Sequence, residues 1–253
     1  MAATVENPII FYDILGRDGQ HWAISPYKTR PTLNYKGIPY RVKWVKFGEV
    51  ESTMKAMGIP PTSKTFPHYT LPLIVDPSSD PNGKPTYVSE SFQIAMYLDD
   101  KYPAPKYPSV LPLETRALQK LFVDSYLPTI SGAMFPLIGP HLPKKLDEAG
   151  QEYLYRSRGG KGNFAPLPES DASQRLSEIR EKWDAFAKDL ELSGGPWIMG
   201  STITFADLVL GGTFYLWHIS DAAWKEVAQW QGGKWAAIWK QIEAIEKKSA
   251  EVA

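Results

Sequence analysis

Apolar and polar positions divide the chain into a first part of short alternating segments and a second part with helical spacing. Ile9-Ile-Phe-Tyr-Asp-Ile14 is a β-rich run after Pro8 and predicts a buried strand. Tyr40-Arg-Val-Lys-Trp-Val45 alternates and predicts a second strand. Between them a helix is expected within residues 25–35, stopped by Gly37 as a natural C′ residue. Two starts compete for it. Ser25 can be the N-cap with Pro26 first in the helix, or Thr29 can cap a later start with Pro31 in the first turn. Residues 49–57 read as a short helix ended by Gly58 and Pro60-Pro61. Pro72 heads the apolar run Leu73-Ile-Val75, a position suited to a residue that cannot donate to a ladder. Asp76-Pro77 through Asn82-Gly83 is a dense turn signal, and Tyr87-Val88 reads as the returning strand. Phe92, Ile94-Ala95 and Tyr97-Leu98 then recur with helical spacing.

Pro103, Pro105, Pro108 and Pro112 make residues 101–112 a semi-rigid linker, so the expected domains are 1–102 and 103–253. Beyond it the pattern is helical. Residues 114–130 predict a helix kinked at Pro128, and a further helix is expected near 144–155. Leu176, Ile179, Trp183, Phe186 and Leu190 mark a long helix over 171–190, stopped by Gly194-Gly195. Thr204-Phe-Ala-Asp207 forms a capping box with Asp in place of Glu. Trp235, Ile238-Trp239, Ile242 and Ile245 mark a last amphipathic helix.

Composition removes several function classes. Lys and Arg number 28 against 28 Asp and Glu, so nucleic-acid binding has no electrostatic support. Cysteine is absent, which excludes disulfides, thiolate metal sites and a protein thiol nucleophile. The four histidines (21, 68, 141, 218) are scattered, there is no H-E-x-x-H, and no metal is expected. Gly159-Gly-Lys-Gly162 lacks P-loop spacing, and with Arg156 and Arg158 reads as a solvated basic loop. No signal peptide is evident and no stretch approaches 18 consecutive apolar residues, so a cytoplasmic protein without a membrane partner is expected. Nine Trp and thirteen Tyr could furnish an aromatic cavity as well as a core.

The alternation of strands and helices up to residue 101 is that of a thioredoxin-like α/β layer. Leu71-Pro72 followed by Glu90-Ser91 at a helix start resembles the tripeptide-binding half of glutathione transferases. The stretch Trp22-Ala-Ile-Ser-Pro-Tyr-Lys-Thr-Arg30, then Leu33-Asn-Tyr-Lys-Gly-Ile-Pro-Tyr40, is similar to the fungal-specific, etherase-related class A (FuA-like) group. Gly200-Ser-Thr-Ile-Thr-Phe-Ala-Asp207 matches the element that nucleates the buried helix of the second domain in that family. The resemblance implies a thioredoxin-like domain plus an all-α domain, glutathione as cosubstrate, a homodimer and a wood-degrading fungal context. It also implies a cis bond between Leu71 and Pro72, a minority state of X-Pro.

Site residues follow from it. Leu71 offers its backbone to the tripeptide, and Glu90 and Ser91 hold the γ-glutamyl end. Lys64, His68 or Lys43 would meet the glycyl carboxylate, Lys64 foremost. Tyr12, Trp22, Phe122, Tyr126 and Phe135 would line a site for hydrophobic aromatic small molecules such as wood phenolics. One departure stands at the critical place. The family's thiol-activating Ser falls on Ala23, so Ser25 or the amides of Ile24 and Ser25 would have to poise the sulfur. Two activities remain open: transfer, thiol exchange or peroxide reduction with glutathione, and a weakly catalytic ligandin that sequesters aromatic compounds.

Overall fold

The computed structural model describes residues 2–77 and 83–253. Of the turn expected at 76–83, residues 78–82 lie outside the described residues. The chain packs as two compact units. The first joins Met1–Ser109, Lys144–Gly160 and Ile245–Ala253, and the second joins Val110–Pro143 and Lys161–Ala244.

The first unit is built on a sheet of β1 (Ile9–Leu15), β2 (Tyr40–Lys46), β3 (Leu73–Asp76) and β4 (Thr86–Ser89), in the order β2-β1-β3-β4. β1 runs parallel to β2, with Ile9 opposite Tyr40 and Leu15 opposite Lys46. Parallel neighbours need a crossover, supplied by α1 (Ile24–Tyr27) and α2 (Arg30–Lys36). β3 lies antiparallel to β1 and to β4, the hairpin geometry expected around Pro72. α3 (Val50–Ala56) and α4 (Ser91–Lys101) complete a thioredoxin-like layer. Its core gathers Phe11, Leu33, Ile38, Ile74, Ile94 and Leu98, each buried.

The helix expected within 25–35 is two helices. Pro31 has no N–H to return to the Tyr27 carbonyl, and its ring crowds that turn, so the chain breaks at Lys28 and Thr29. Gly37 closes α2 at φ 64°. The Lys28-Thr29-Arg30 signature has a structural cause: Arg30 is buried, its Nη2 2.8 Å from Asp13 Oδ2 and its Nη1 3.0 Å from Glu251 Oε2. Its guanidinium also lies over the rings of Phe11 and Trp44. The far end of α2 is held by Lys36, whose Nζ is 2.7 Å from Asp99 Oδ1 and 2.8 Å from the Pro108 carbonyl. Ala250 to Val252 run beside β2, with the Val252 N–H donating to Tyr40 O at 2.8 Å.

The second unit is helical. Its elements are α5 (Arg116–Leu121), α6 (Leu127–Ser131), α7 (Phe135–Ile138), and, after α8 (Glu148–Ser157) of the first unit, α9 (Glu169–Glu191), α10 (Phe205–Trp217) and α11 (Asp221–Val227). Most of α12 (Lys234–Lys247) belongs here too. The distortion expected at Pro128 begins before it, as a π-helical turn over Phe122–Tyr126. Pro128 returns no N–H to the preceding turn, and the wider turn absorbs that loss. Trp183, Phe186 and Trp235 form the centre, Phe186 and Trp235 being stacked with centroids 5.6 Å apart. Taken end to end, Leu113–Lys145 is long and apolar enough to span a membrane by length and composition. It carries Arg116, Lys120 and Asp124, however, and changes helix type repeatedly.

Candidate functional site

Sheet register gathers the expected tripeptide residues of the first unit. Leu73 pairs with Ser89, so the residues just outside that pair, Leu71-Pro72 and Glu90-Ser91, flank one another. Tyr12 pairs with Leu73 on the other side, which carries the end of β1 toward Leu71. The Leu71-Pro72 bond is cis, as are Phe66-Pro67 and Ala104-Pro105. Leu71 and Pro72 are buried, whereas Glu90 is exposed at the head of α4.

Glu90 has φ 70° and ψ 123°, outside the regions open to L-residues at no cost. Such a backbone costs of order 1–3 kcal/mol and persists where the surroundings over-determine it. Here β4 ends at Ser89 and α4 starts at Ser91, leaving one residue to turn the chain. The turn leaves an exposed residue with a carboxylate at the head of α4, where the first helix amides lack intrahelical partners. The Glu90 carbonyl accepts the first helical bond from Ile94 N at 2.8 Å.

Lys64 and His68 share an open cavity of about 590 Å³ with Pro61, Thr62 and Ser63. His68 is exposed with Nδ1 3.3 Å from the Ser63 carbonyl oxygen. The loop is pinned by bonds from Thr62 N and Ser63 N to His68 O at 2.9 and 3.2 Å. Lys43 lies exposed on β2 opposite Tyr12, apart from the residues lining that cavity.

At the head of α1 the structure corrects the capping expectation. Ala23, not Ser25, is the N-cap: its backbone is extended and its carbonyl accepts from Tyr27 N at 3.1 Å. The helix can start this early because Pro26 then falls in the first turn, where no N–H is required. Ser25 is the second helical residue, exposed, beside the positive end of the turn.

The residues expected to line an aromatic site are placed within their own units. Tyr12 is half-buried on β1, and burial, then Tyr87, raises its hydroxyl pKa. Trp22 is buried edge-on to Phe47 at 5.5 Å. In the second unit Phe122 and Tyr126 pack together against Phe186, whereas Phe135 packs on Phe164. Tyr126 donates to Asp189 Oδ2 at 2.9 Å, and burial with that carboxylate pushes its pKa up to about 12.

Several neighbours of the site carry no motif. Phe47, Tyr153 and Phe66 continue the ring contacts of Trp22, with centroids 4.9 and 5.9 Å apart along the row. Arg156, expected to be solvated, lies over Phe66 and Tyr153 at 5.5 and 5.4 Å, because stacking on two rings competes with hydration of its guanidinium. Thr70 links the loop to α4: its hydroxyl lies 3.1 Å from Thr62 Oγ1 and 3.4 Å from Glu90 Oε1. Its place two residues before Pro72 is the one sequence signal that could have singled it out. Among the described residues no group of acidic, His or Cys side chains is arranged to hold a metal ion.

Two family models match the chain: "Glutathione S-transferase, N-terminal domain" over residues 20–106 and "Glutathione S-transferase, C-terminal domain" over residues 117–244. A glutathione S-transferase of Ceriporiopsis subvermispora, solved in complex with glutathione, is 33% identical with TM-score 0.83, covering 95% of this chain and 98% of that one. Glutathione transferase GSTFuA3 from Phanerochaete chrysosporium is 31% identical with TM-score 0.81, over 94% of this chain and 97% of that one. The glutathione S-transferase-like protein ustS of Aspergillus flavus is 30% identical over 257 residues, 94% of this chain and 91% of that protein. Matches of this length and identity show that the chain belongs to the glutathione transferase family and stands close to the fungal GSTFuA proteins.

Proposed function

We propose that this protein is a glutathione transferase that uses glutathione as cosubstrate and acts on hydrophobic aromatic compounds by conjugation, thiol exchange or peroxide reduction. One observation carries the reading: Glu90 is held at φ 70° with its carboxylate exposed at the head of α4, beside Leu71-Pro72. The carboxylate takes the γ-glutamyl ammonium, and Ser91 with the first amides of α4 takes the α-carboxylate. The Leu71 backbone pairs with the cysteinyl segment. Lys64, with His68 beside it, meets the glycyl carboxylate. Ser25 or the amides at the head of α1 hold the sulfur as thiolate. Relatives solved in complex with glutathione support the choice of this tripeptide as ligand. The aromatic acceptor would meet some of Tyr12, Trp22, Phe122, Tyr126 and Phe135, and the working form is a cytoplasmic homodimer.

Calorimetric titration with glutathione tests the reading. The protein should bind the tripeptide, and Glu90→Gln should weaken binding by about tenfold or more, the worth of a hydrogen bond to a charged group. No heat on addition would end the proposal.

Ala23 favours a second reading, because the position offers no hydroxyl to the sulfur. The protein then sequesters aromatic compounds and turns over slowly. Tight binding of aromatic dyes, without conjugation or peroxidase activity across several electrophiles, would select it.

A further inference from the structure

Two side chains outside the contacts assigned above, Thr62 and Thr70, connect the two walls of the tripeptide site. Thr70 N donates to Thr62 Oγ1 at 3.2 Å, the two hydroxyl oxygens lie 3.1 Å apart, and the Thr70 hydroxyl reaches Glu90 Oε1 at 3.4 Å. Each threonine has one hydroxyl proton, so Thr62 can donate to the His68 carbonyl while Thr70 donates to Glu90, and if the two hydroxyls bond each other only two orders are possible. In one, Thr62 donates to Thr70 and Thr70 to Glu90. In the other, Thr70 donates to Thr62 and Thr62 to the His68 carbonyl 3.3 Å away. A carboxylate is the stronger acceptor, which favours the order that ends on Glu90.

Glu90 needs this support. It is exposed, follows a four-residue strand and sits on a left-handed backbone turn, so its side chain has free rotamers to lose on binding. A single donor on Oε1 leaves the other oxygen and the remaining lone pairs for an incoming ammonium. We infer that Thr70 is a positioning residue: held by Thr62, it orients the Glu90 carboxylate that selects the α-amino group of the γ-glutamyl end. The inference rests on the glutathione reading of Glu90. Thr62 also lines the cavity shared by Lys64 and His68, so the relay ties that wall to the ammonium-binding end.

The test uses the full chain, calorimetry and two ligands: glutathione and its analogue with hydrogen in place of the α-amino group. Thr70→Val should weaken glutathione about threefold to tenfold, the span of one net hydrogen bond, and change the analogue by less than about twofold. Thr70→Ser, which keeps the hydroxyl, should restore wild-type affinity. If Thr70→Val lowers the melting temperature, Thr62→Val provides a second probe, with a smaller loss of about twofold that is again confined to the amino-bearing ligand. Unchanged glutathione binding by Thr70→Val, equal losses for both ligands, or no recovery with Ser would each overturn the inference. Glu90→Gln separates the levels. If it weakens glutathione while Thr70→Val does not, the relay alone is wrong; if it has no effect, the assignment of Glu90 fails and the relay with it.

Discussion

A single missing hydroxyl sets the chemical question at the scale of residues. Ala23 caps α1 by its backbone alone, and the nearest hydroxyl in the chain is that of Ser25, one turn position inside the helix. If Ser25 holds the thiolate, Ser25→Ala should lower kcat for conjugation by at least about tenfold, and stopped-flow or steady-state assays read this directly. Unchanged turnover assigns the task to the amides of Ile24 and Ser25. Ala23→Ser should raise kcat if that position still points at the sulfur. His21 offers a separate test. Burial, and then the charge of Arg30, lowers its pKa from 6.5 to about 4. A base depressed in the folded state gives stability that is whole above its unfolded pKa and is lost as pH falls toward the folded one. The difference is worth about 3 kcal/mol. Urea unfolding of the wild type should therefore lose about that much between pH 7 and pH 4 through His21, and His21→Gln should lose correspondingly less. Parallel curves would mean that His21 is not held neutral.

Prolines and caps decide the form of the elements. Pro31 splits the first crossover helix, and Pro128 is preceded by a π-helical turn rather than a simple bend. The strongest local device is at α10. Asp207 is buried and accepts from Thr204 N, Thr204 Oγ1 and Ile198 N, each at 2.8 Å. Asp207→Ala would leave buried donors without an acceptor as well as removing the cap. The expected cost is about 2–4 kcal/mol, measured as a shift in the denaturant midpoint. A loss below about 1 kcal/mol would show that water replaces the carboxylate at no great cost. Gly211 of the same helix explains its own size: a Cβ there would meet Ile242 at 2.8 Å.

For the molecule as a whole, ligand binding and folding are linked. If only the folded first unit binds glutathione, free ligand at 100 times Kd should stabilise that unit by about 2.7 kcal/mol. Differential scanning calorimetry with and without glutathione measures this, and Glu90→Gln should need a proportionately higher concentration for the same shift. A melting curve that ignores the ligand would contradict a preformed site. The two units are also less linear than a division at residue 102 suggests. Residues 144–160 and 245–253 pack with the first unit, where Glu251 reaches Arg30 and Tyr153 packs on Phe47.

Local chemistry made much of this legible in one dimension. Period-two and apolar runs marked the strands, and Gly37 and the Thr204 box marked helix ends. Each of these is a property of neighbouring residues, and short-range sterics and hydrogen bonding act alike in the sequence and in the fold. Arg30 pairing with Glu251, the stacking of Arg156 on Phe66 and Tyr153, and the relay from Thr62 through Thr70 to Glu90 had no such signature. Apart from Tyr153, three residues before Arg156 on α8, their partners lie between 8 and 221 residues apart in the chain. Only packing of the sheet and its loops brings them within bonding distance, and so only the tertiary structure could decide them.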